Sequence, residues 1–136
     1  MTTPAQSRIS HPPVPVNPRI AIVDDDLDLR FITRAMIGKE FAEAQFVEFS
    51  TAQEMLDHLK DHRVDAIVSD YQLGTMDGIT MIQTIRKTDT ATPIVMASGR
   101  DDIRDQALAA GATLFLTFGE QRQLGEVIKR LLSSPV

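Results

Sequence analysis

The feature that most constrains the fold of this chain is a regular alternation of short apolar runs with longer amphipathic stretches. The runs have the length of buried strands, whereas the stretches place apolar residues three and four positions apart, as helices do. The alternation predicts strands at 20–23, 45–49, 64–69, 94–97 and 113–117. A helix is predicted after each: 28–38, a second from about 51, a third after 78, and then about 102–110 and 120–132. Five such units predict a doubly wound α/β fold, in which helices cover both faces of a five-stranded parallel sheet.

The length and the proline distribution predict one domain preceded by a tail. A chain of 136 residues is long enough for one hydrophobic core. Residues 1–18 hold five of the seven prolines, so we expect a flexible proline-rich tail there and the folded domain at 19–133. The tail is interpreted either as a solvated extension or as a docking segment.

Composition excludes several classes of protein. With no cysteine, the chain has no disulfide framework, thiolate metal site or cysteine nucleophile, which fits a reducing compartment. No apolar run approaches the roughly 20 residues of a membrane span, and no secretory signal is present, so we expect a cytoplasmic protein that is not inserted in a membrane. The net charge of −5 argues against direct binding of nucleic acid.

Spacing also predicts which side of each helix is buried and where the helix starts. In the first helix, Asp26 or Asp28 is available as the N-cap. In the second helix, Thr51 and Glu54 have the spacing of a capping box. The residues of the first helix that are expected to face the core are Phe31, Ile32, Ala35 and Met36.

Acidic residues follow two of the predicted strands, at the point where each strand ends. Asp24, Asp25 and Asp26 come directly after the first strand, and Asp70 follows the third. The carboxyl ends of parallel strands share one edge of the sheet, where ligands bind in such folds, so these carboxylates should converge. A hard divalent cation, most simply Mg²⁺, would relieve their mutual repulsion. The alternative, in which strand-end acids merely cap helices, fits Asp26 alone.

Residues near the other strand ends fit phosphoryl transfer. The Ser98 hydroxyl could donate a hydrogen bond to an oxygen on a group attached to Asp70, and Gly99 leaves the approach open. Glycines at 74 and 78 predict a loop close to the cation, so the backbone carbonyl of Gln72 is a further candidate ligand. Phosphoryl transfer needs mainly positioning and charge neutralisation, which a carboxylate, a cation and a hydroxyl supply.

Four segments taken together resemble one known family: 22–26, 68–78, 93–99 and 110–112. Their sequences and order are similar to those of the receiver domain of two-component response regulators. The resemblance implies a flavodoxin-like (βα)5 fold. It also implies transfer of a phosphoryl group to Asp70 from a phosphohistidine on a sensor histidine kinase or a histidine phosphotransfer protein. Such a domain catalyses only its own phosphorylation and dephosphorylation, so we do not expect an enzyme.

The resemblance also implies roles for individual residues. Asp25 would bind the cation directly, and Asp24 would do so directly or through water. Ser98, beside Gly99, would bind a phosphoryl oxygen. Phe115 matches the switching aromatic of the family, although it could equally be an ordinary core residue. The implied magnesium ligands are Asp24, Asp25, Asp70 and the backbone carbonyl of Gln72.

The chain departs from the family pattern where the fifth strand ends. Counted from 110–112, the family's lysine falls on Phe118 and its usual following proline on Gly119. A cis bond before a residue other than proline costs about 2.5–4 kcal/mol, so the Phe118–Gly119 bond should be trans. One positive charge fewer faces the acyl phosphate, so we expect slower transfer or an altered link to conformational change. Arg100 is either a substitute for that charge or a solvated residue at a helix start.

Three functions follow from these features. The first is a single-domain response regulator that signals by docking on a target protein, through the face around residues 102–132. The second is a receiver-shaped interaction module that no longer depends on phosphate, which the residue at 118 favours. The third is a phosphatase that forms an aspartyl-phosphate, suggested by the Asp-x-Asp at 24–26, although the chain has no room for a substrate-binding cap.

Overall fold

The sheet contains the predicted strands, and all of them are parallel. The computed structural model describes residues 17–133, so the expected tail at 1–16 lies outside the described residues. The strands are β1 (Arg19–Val23), β2 (Gln45–Phe49), β3 (Ala66–Ser69), β4 (Ile94–Ser98) and β5 (Leu114–Thr117). Their order in the sheet is β2-β1-β3-β4-β5, which confirms the doubly wound α/β fold.

A helix follows each strand. The helices are α1 (Leu27–Gly38), α2 (Ala52–Leu59), α3 (Gly78–Arg86), α4 (Arg104–Ala110) and α5 (Leu124–Ser133). The first three begin after side chains that accept backbone hydrogen bonds, as N-caps do: Asp26, Thr51 and Asp77. Within residues 17–133, no helix has both the length and the apolar character needed to cross a membrane.

Buried apolar side chains form a layer on each face of the sheet. β1 contributes to both layers because side chains alternate along a strand, with Ala21 and Val23 on one face and Ile20 and Ile22 on the other. The first layer is completed by α2, α3 and α4, through residues that include Met55, Met81, Ile82 and Ala107. The second is completed by α1 and α5, through Ile37, Leu124 and Ile128. The two layers fix the sheet, so the carboxyl ends of its strands are held at one edge.

The prediction for the buried face of α1 is wrong. Phe31 is 71% exposed and Ile32 41% exposed, Ala35 is exposed, and Met36 is half-buried. The buried residues are Thr33 and Ile37. The Thr33 hydroxyl accepts a hydrogen bond from the Gln121 side-chain amide at 3.4 Å, so a polar residue occupies a core position. Apolar spacing therefore selected the wrong face of this helix.

The chain turns differently from the prediction after β5. A 3-10 segment, Phe118–Gln123, precedes α5, and another, Asp101–Ile103, precedes α4, so both α-helices begin later than expected. The Glu120 carboxylate accepts hydrogen bonds from the Thr117 N–H at 3.0 Å and from its hydroxyl at 3.1 Å. These bonds hold the first turn tightly after the strand. The Phe118–Gly119 bond is trans, as predicted, and no cis peptide occurs in the described part of the chain.

Candidate functional site

The register of β1 and β3 brings the predicted acidic residues together. Val23 pairs with Ser69, so Asp24 and Asp70 are the next residues on adjacent strands. The Asp70 N–H donates to the Val23 carbonyl at 3.1 Å, which extends the ladder to the edge of the sheet. Carboxylate oxygens of Asp24, Asp25 and Asp70 all lie within 4.8 Å of one another. The three side chains thus form one cluster, which we call the acidic cluster.

Burial and mutual repulsion change the acidity of this cluster. Asp24 is only 8% exposed. Burial raises the pKa of Asp24 to about 6, the hydrogen bond from the Asp26 N–H opposes that rise, and the nearby charges of Asp70 and Asp25 add to it. Burial likewise raises the pKa of Asp70, against a hydrogen bond from the Tyr71 N–H. The cluster therefore holds negative charge at a free-energy cost.

The donor set of the acidic cluster fits a hard divalent cation. Mg²⁺ binds oxygen ligands at about 2.0–2.1 Å in octahedral geometry, so ligands of one ion are themselves separated by a few ångströms. Three carboxylates with oxygens within 4.8 Å of one another meet that requirement. Burial is the main cause of the raised pKa of Asp24 and of Asp70, and a bound cation would offset the mutual repulsion that adds to it.

Arg30 contacts the acidic cluster and was missed by the sequence analysis. Its Nη1 donates to the Asp24 carbonyl oxygen at 2.6 Å, and its Nε lies 3.3 Å from the Glu48 carboxylate. The Arg30 side chain is only 15% exposed. It fixes the peptide between the first two acids of the cluster and places a positive charge beside them. The only sequence signal was its position one helical turn after Asp26, which is not specific enough to predict the contact.

Two glycines shape the loop between Asp70 and α3 for different reasons. Gly74 has φ of +86°, a backbone conformation that residues with a side chain rarely adopt. Gly78 is instead the first residue of α3, and a Cβ there would collide with the Asp70 carbonyl oxygen and lie 2.7 Å from Met96 Cε. The loop therefore packs directly on the backbone of Asp70. Gln72 lies in this loop and is exposed, and its role as a ligand stays a prediction.

β4 and β5 place Ser98 and Phe118 at the same edge of the sheet. Ser98 is 4% exposed and pairs with Thr117. Its hydroxyl oxygen accepts a hydrogen bond from the Arg100 N–H at 3.1 Å. A Cβ added to Gly99 would lie 3.3 Å from the Phe118 ring, so the ring rests on the backbone beside Ser98. The ring thus covers one side of Gly99, so the approach there is less open than the sequence predicted.

The Arg100 side chain is paired with its own loop. Its guanidinium forms two hydrogen bonds to the Asp102 carboxylate, at 3.2 and 2.9 Å, and lies 5.2 Å from the centre of the Tyr71 ring. A role for Arg100 at a phosphoryl group would require it to leave Asp102. Its function as a substitute charge stays a prediction.

Phe115 is buried at the end of β5 and carries a charged neighbour. It is 3% exposed, and the Arg104 guanidinium lies 5.0 Å from the centre of its ring. Arg104 also donates to the Phe115 carbonyl at 3.1 Å and lies 3.5 Å from the Glu120 carboxylate. Phe115 is therefore part of the core in this structure. Its role as a switching residue stays a prediction.

The fold and the site together define an α/β domain in which carboxylates at the strand ends could hold a cation. A model of the response regulator receiver domain family matches residues 20–128. The chain therefore belongs to the family of response regulator receiver domains, as its motifs indicated.

Two characterised relatives show the range of proteins in which this domain occurs. The chain is 32% identical over 103 residues to the transcriptional regulatory protein PrrA of Mycobacterium tuberculosis, an alignment that covers 74% of this chain but 43% of PrrA. It is 30% identical over 117 residues to the chemotaxis protein CheY of Bacillus subtilis, covering 83% of this chain and 97% of CheY. The chain thus spans less than half of the length of the first relative and nearly all of the second.

Solved structures show the same fold. A CheY-like receiver domain protein from Methanospirillum hungatei is 26% identical, with a TM-score of 0.76 over 85% of this chain and 94% of that one. The receiver domain of Francisella response regulator 1452 is 22% identical, with a TM-score of 0.77 over 85% and 97% of the two chains. The second identity is low enough that this likeness shows the fold alone.

Proposed function

We propose that this protein is a response regulator that accepts a phosphoryl group on Asp70 in the presence of Mg²⁺ and signals by docking on another protein. The observation that carries the proposal is the acidic cluster, in which Asp70 lies beside two further carboxylates. Membership of the receiver family supports phosphorylation as the general mode of signalling. The donor would be a phosphohistidine on a sensor kinase or a phosphotransfer protein.

The transfer has a simple chemical description. A carboxylate oxygen of Asp70 attacks the phosphorus, a P–O bond forms, and the P–N bond to the imidazole breaks, with the nitrogen taking the electron pair and then a proton. Asp24 and Asp25, with the Gln72 carbonyl, would hold a cation that neutralises charge on the phosphoryl oxygens. Ser98, buried at the end of β4, would donate its hydroxyl hydrogen to one of those oxygens. Arg30 keeps the peptide that bears Asp24 in place.

A direct test is phosphorylation by a small phosphodonor. The full chain is incubated with Mg²⁺ and acetyl phosphate, and its intact mass is measured. We expect the mass of one added phosphoryl group in the wild type and its loss in Asp70→Asn. Asp105→Asn, an exposed acid on α4, is the matched control and should still be modified. Modification that persists in Asp70→Asn would contradict the assignment of the acceptor.

The surface around residues 102–132 supports signalling by docking. It contains three large apolar side chains that remain partly exposed: Leu108 at 42%, Leu114 at 37% and Phe118 at 45%. Phe118 also rests on Gly99, beside Ser98. If a phosphoryl group on Asp70 binds Ser98 as proposed, a change at Ser98 would be felt by Phe118, which offers a route from phosphorylation to docking.

A second candidate function is an interaction module that does not depend on phosphate. The observation that favours it is the Phe118 ring, which occupies the position of the family's lysine and brings no charge. The variant Phe118→Lys distinguishes the two, with Phe118→Met as the uncharged control. If the site is a weakened acceptor, the lysine variant should react at least about tenfold faster with acetyl phosphate than the methionine variant, since one fixed charge aimed at a transition state is worth that or more. No modification of either variant would favour the second candidate.

A further inference from the structure

A groove on the outer side of α1 is lined by apolar side chains that remain exposed. It has a volume of about 630 Å³ and lies between α1 and the edge strand β2, with Phe31 and Phe46 among its walls. Within residues 17–133, Leu27 at its upper end is 66% exposed and Phe31 is 71% exposed. Adjoining apolar residues this exposed mark interaction sites on soluble proteins.

We propose that this groove binds the proline-rich segment of the same chain that precedes Asn17, in the polyproline II conformation. Sixteen residues precede Asn17, and prolines occur at 12, 13 and 15. Pro12 and Pro15 have the P-x-x-P spacing that recurs in ligands of aromatic-lined grooves. Phe31 provides an exposed aromatic ring in this groove, and Phe46 provides a half-buried one, with the Arg34 guanidinium 5.2 Å from the centre of its ring.

The described chain begins beside the groove. The Pro18 carbonyl accepts a hydrogen bond from the Gln45 N–H at 2.8 Å, which fixes the chain next to the start of β2. Phe46, the next residue of β2, lines the groove. The described chain therefore starts close to a residue that lines the groove, so the segment before it has only a short distance to cover.

The segment is long enough to follow the groove. The groove runs along α1 from Gly38 to Leu27, a distance of about 17 Å at about 1.5 Å per residue. A polyproline II strand advances about 3.1 Å per residue, so about six residues cover that distance. The sixteen residues before Asn17 exceed this requirement.

The groove also offers hydrogen bonds to such a strand. A polyproline II strand leaves its carbonyl oxygens without internal partners. Arg34 lies at the rim, where its Nη1 is 2.9 Å from the Glu48 carboxylate and its remaining N–H groups can donate to carbonyls. Binding within one chain is favoured over binding between copies, because a short tether gives the segment an effective concentration at the groove on the order of 1 mM.

Paramagnetic broadening in NMR spectra tests this proposal. The chain contains no cysteine, so a nitroxide attached to Ser10→Cys labels one position in the full-length protein. We expect the amide signals of Phe31, Ala35 and Phe46 to lose most of their intensity, while those of α4 keep it. Equal intensities along α1 and α4 would overturn the proposal.

Further measurements test whether the loss of signal intensity in α1 is due to binding in the groove. Phe31→Ser should restore the α1 signals without affecting folding, since this side chain is 71% exposed, whereas Leu108→Ser on α4 should leave the broadening intact. The double variant Pro12→Ser/Pro15→Ser should also restore the α1 signals. In a mixture of isotope-labelled chain without nitroxide and nitroxide-labelled chain without isotope, broadening would assign the contact to a second copy and overturn binding within one chain.

Discussion

Asp24 makes the stability of the metal-free protein depend on pH in an unusual direction. Its pKa is raised by burial from 3.8 to about 6, so the folded state holds the proton more tightly than the unfolded state. The stability that this proton contributes is fully present below pH about 4, and it is lost as the pH rises through 6. Most carboxylates in folded proteins act in the opposite direction, because their pKa values are lowered.

The comparison of wild type with Asp24→Asn isolates this effect. In EDTA, we expect the two proteins to differ little in their free energy of unfolding near pH 4, since the asparagine oxygen can still accept from the Asp26 N–H. Near pH 7 the wild type should be less stable than the variant by up to about 3 kcal/mol. Urea denaturation at a series of pH values measures the difference, and a difference that does not change with pH would contradict the prediction.

Arg30 should affect metal affinity although it is not a ligand. Arg30→Met removes the hydrogen bond to the Asp24 carbonyl and a positive charge that holds the cluster in place. We expect Mg²⁺ to bind about tenfold more weakly, as is usual when a residue that orients metal ligands is lost. Calorimetric titration measures the affinity.

Arg34→Met is the matched control for that experiment. Arg34 lies on the same helix and pairs with the same Glu48 carboxylate, at 2.9 Å. No contact joins its side chain to the acidic cluster among the hydrogen bonds and ion pairs of the described residues. Equal weakening of Mg²⁺ binding in both variants would assign the effect to Glu48 or to net charge.

At the scale of elements, the start of α3 depends on a glycine that has nothing to do with turn formation. In Gly78→Ala, the new Cβ would collide with the Asp70 carbonyl oxygen, which belongs to the backbone and cannot swing aside. We expect α3 to shift and the free energy of unfolding to fall by about 2 kcal/mol, as in other overpacked positions. Urea denaturation provides the measurement.

Gly38, at the end of α1, provides the opposite case. A Cβ there would meet no atom within 4 Å. Gly38→Ala should raise the free energy of unfolding by about 0.5–1 kcal/mol, because alanine loses less backbone entropy in a helix. If both variants are destabilised alike, the contact with the Asp70 carbonyl is not what distinguishes Gly78 from Gly38.

The elements also show where sequence patterns are sufficient. β1 was predicted correctly as a buried strand, and α5 as an amphipathic helix. In both elements the apolar residues that the pattern places inside do form part of the core. The buried face of α1 was not predicted, since Thr33 is buried through a hydrogen bond to Gln121, a residue 88 positions away. Patterns within a helix carry no information about such a partner. The late starts of α4 and α5 have a different cause, namely the local 3-10 segments that precede them.

At the scale of the whole molecule, a bound cation should stabilise the entire fold. The three carboxylates that would bind it follow the ends of β1 and β3, so they come together only when the sheet has formed. With free Mg²⁺ about tenfold above its dissociation constant, we expect the free energy of unfolding to rise by about 1.4 kcal/mol. Denaturation with and without Mg²⁺ measures the gain, and Asp25→Asn should lose most of it. An equal gain in that variant would place the binding site elsewhere.

The site as a whole was predictable to the extent that the topology creates it. A parallel sheet places the carboxyl end of every strand at one edge, so the proximity of Asp24, Asp25 and Asp70 could be predicted from the sequence. The contact of Arg30 with the Asp24 carbonyl and that of Phe118 with Gly99 depend on how side chains turn after the strands end. Those orientations follow from packing, and the sequence contains no spacing rule for them.

The contact between Phe118 and Gly99 also makes this protein a convenient object for optical measurement. The chain contains no tryptophan, so Phe118→Trp would introduce a lone indole whose emission is free of background. The phenylalanine ring is 45% exposed and rests beside Ser98, so a larger ring has room at its outer edge. If a phosphoryl group on Asp70 moves the segment that contains Ser98 and Gly99, the emission of this indole should change, so the proposed phosphorylation could be followed by fluorescence.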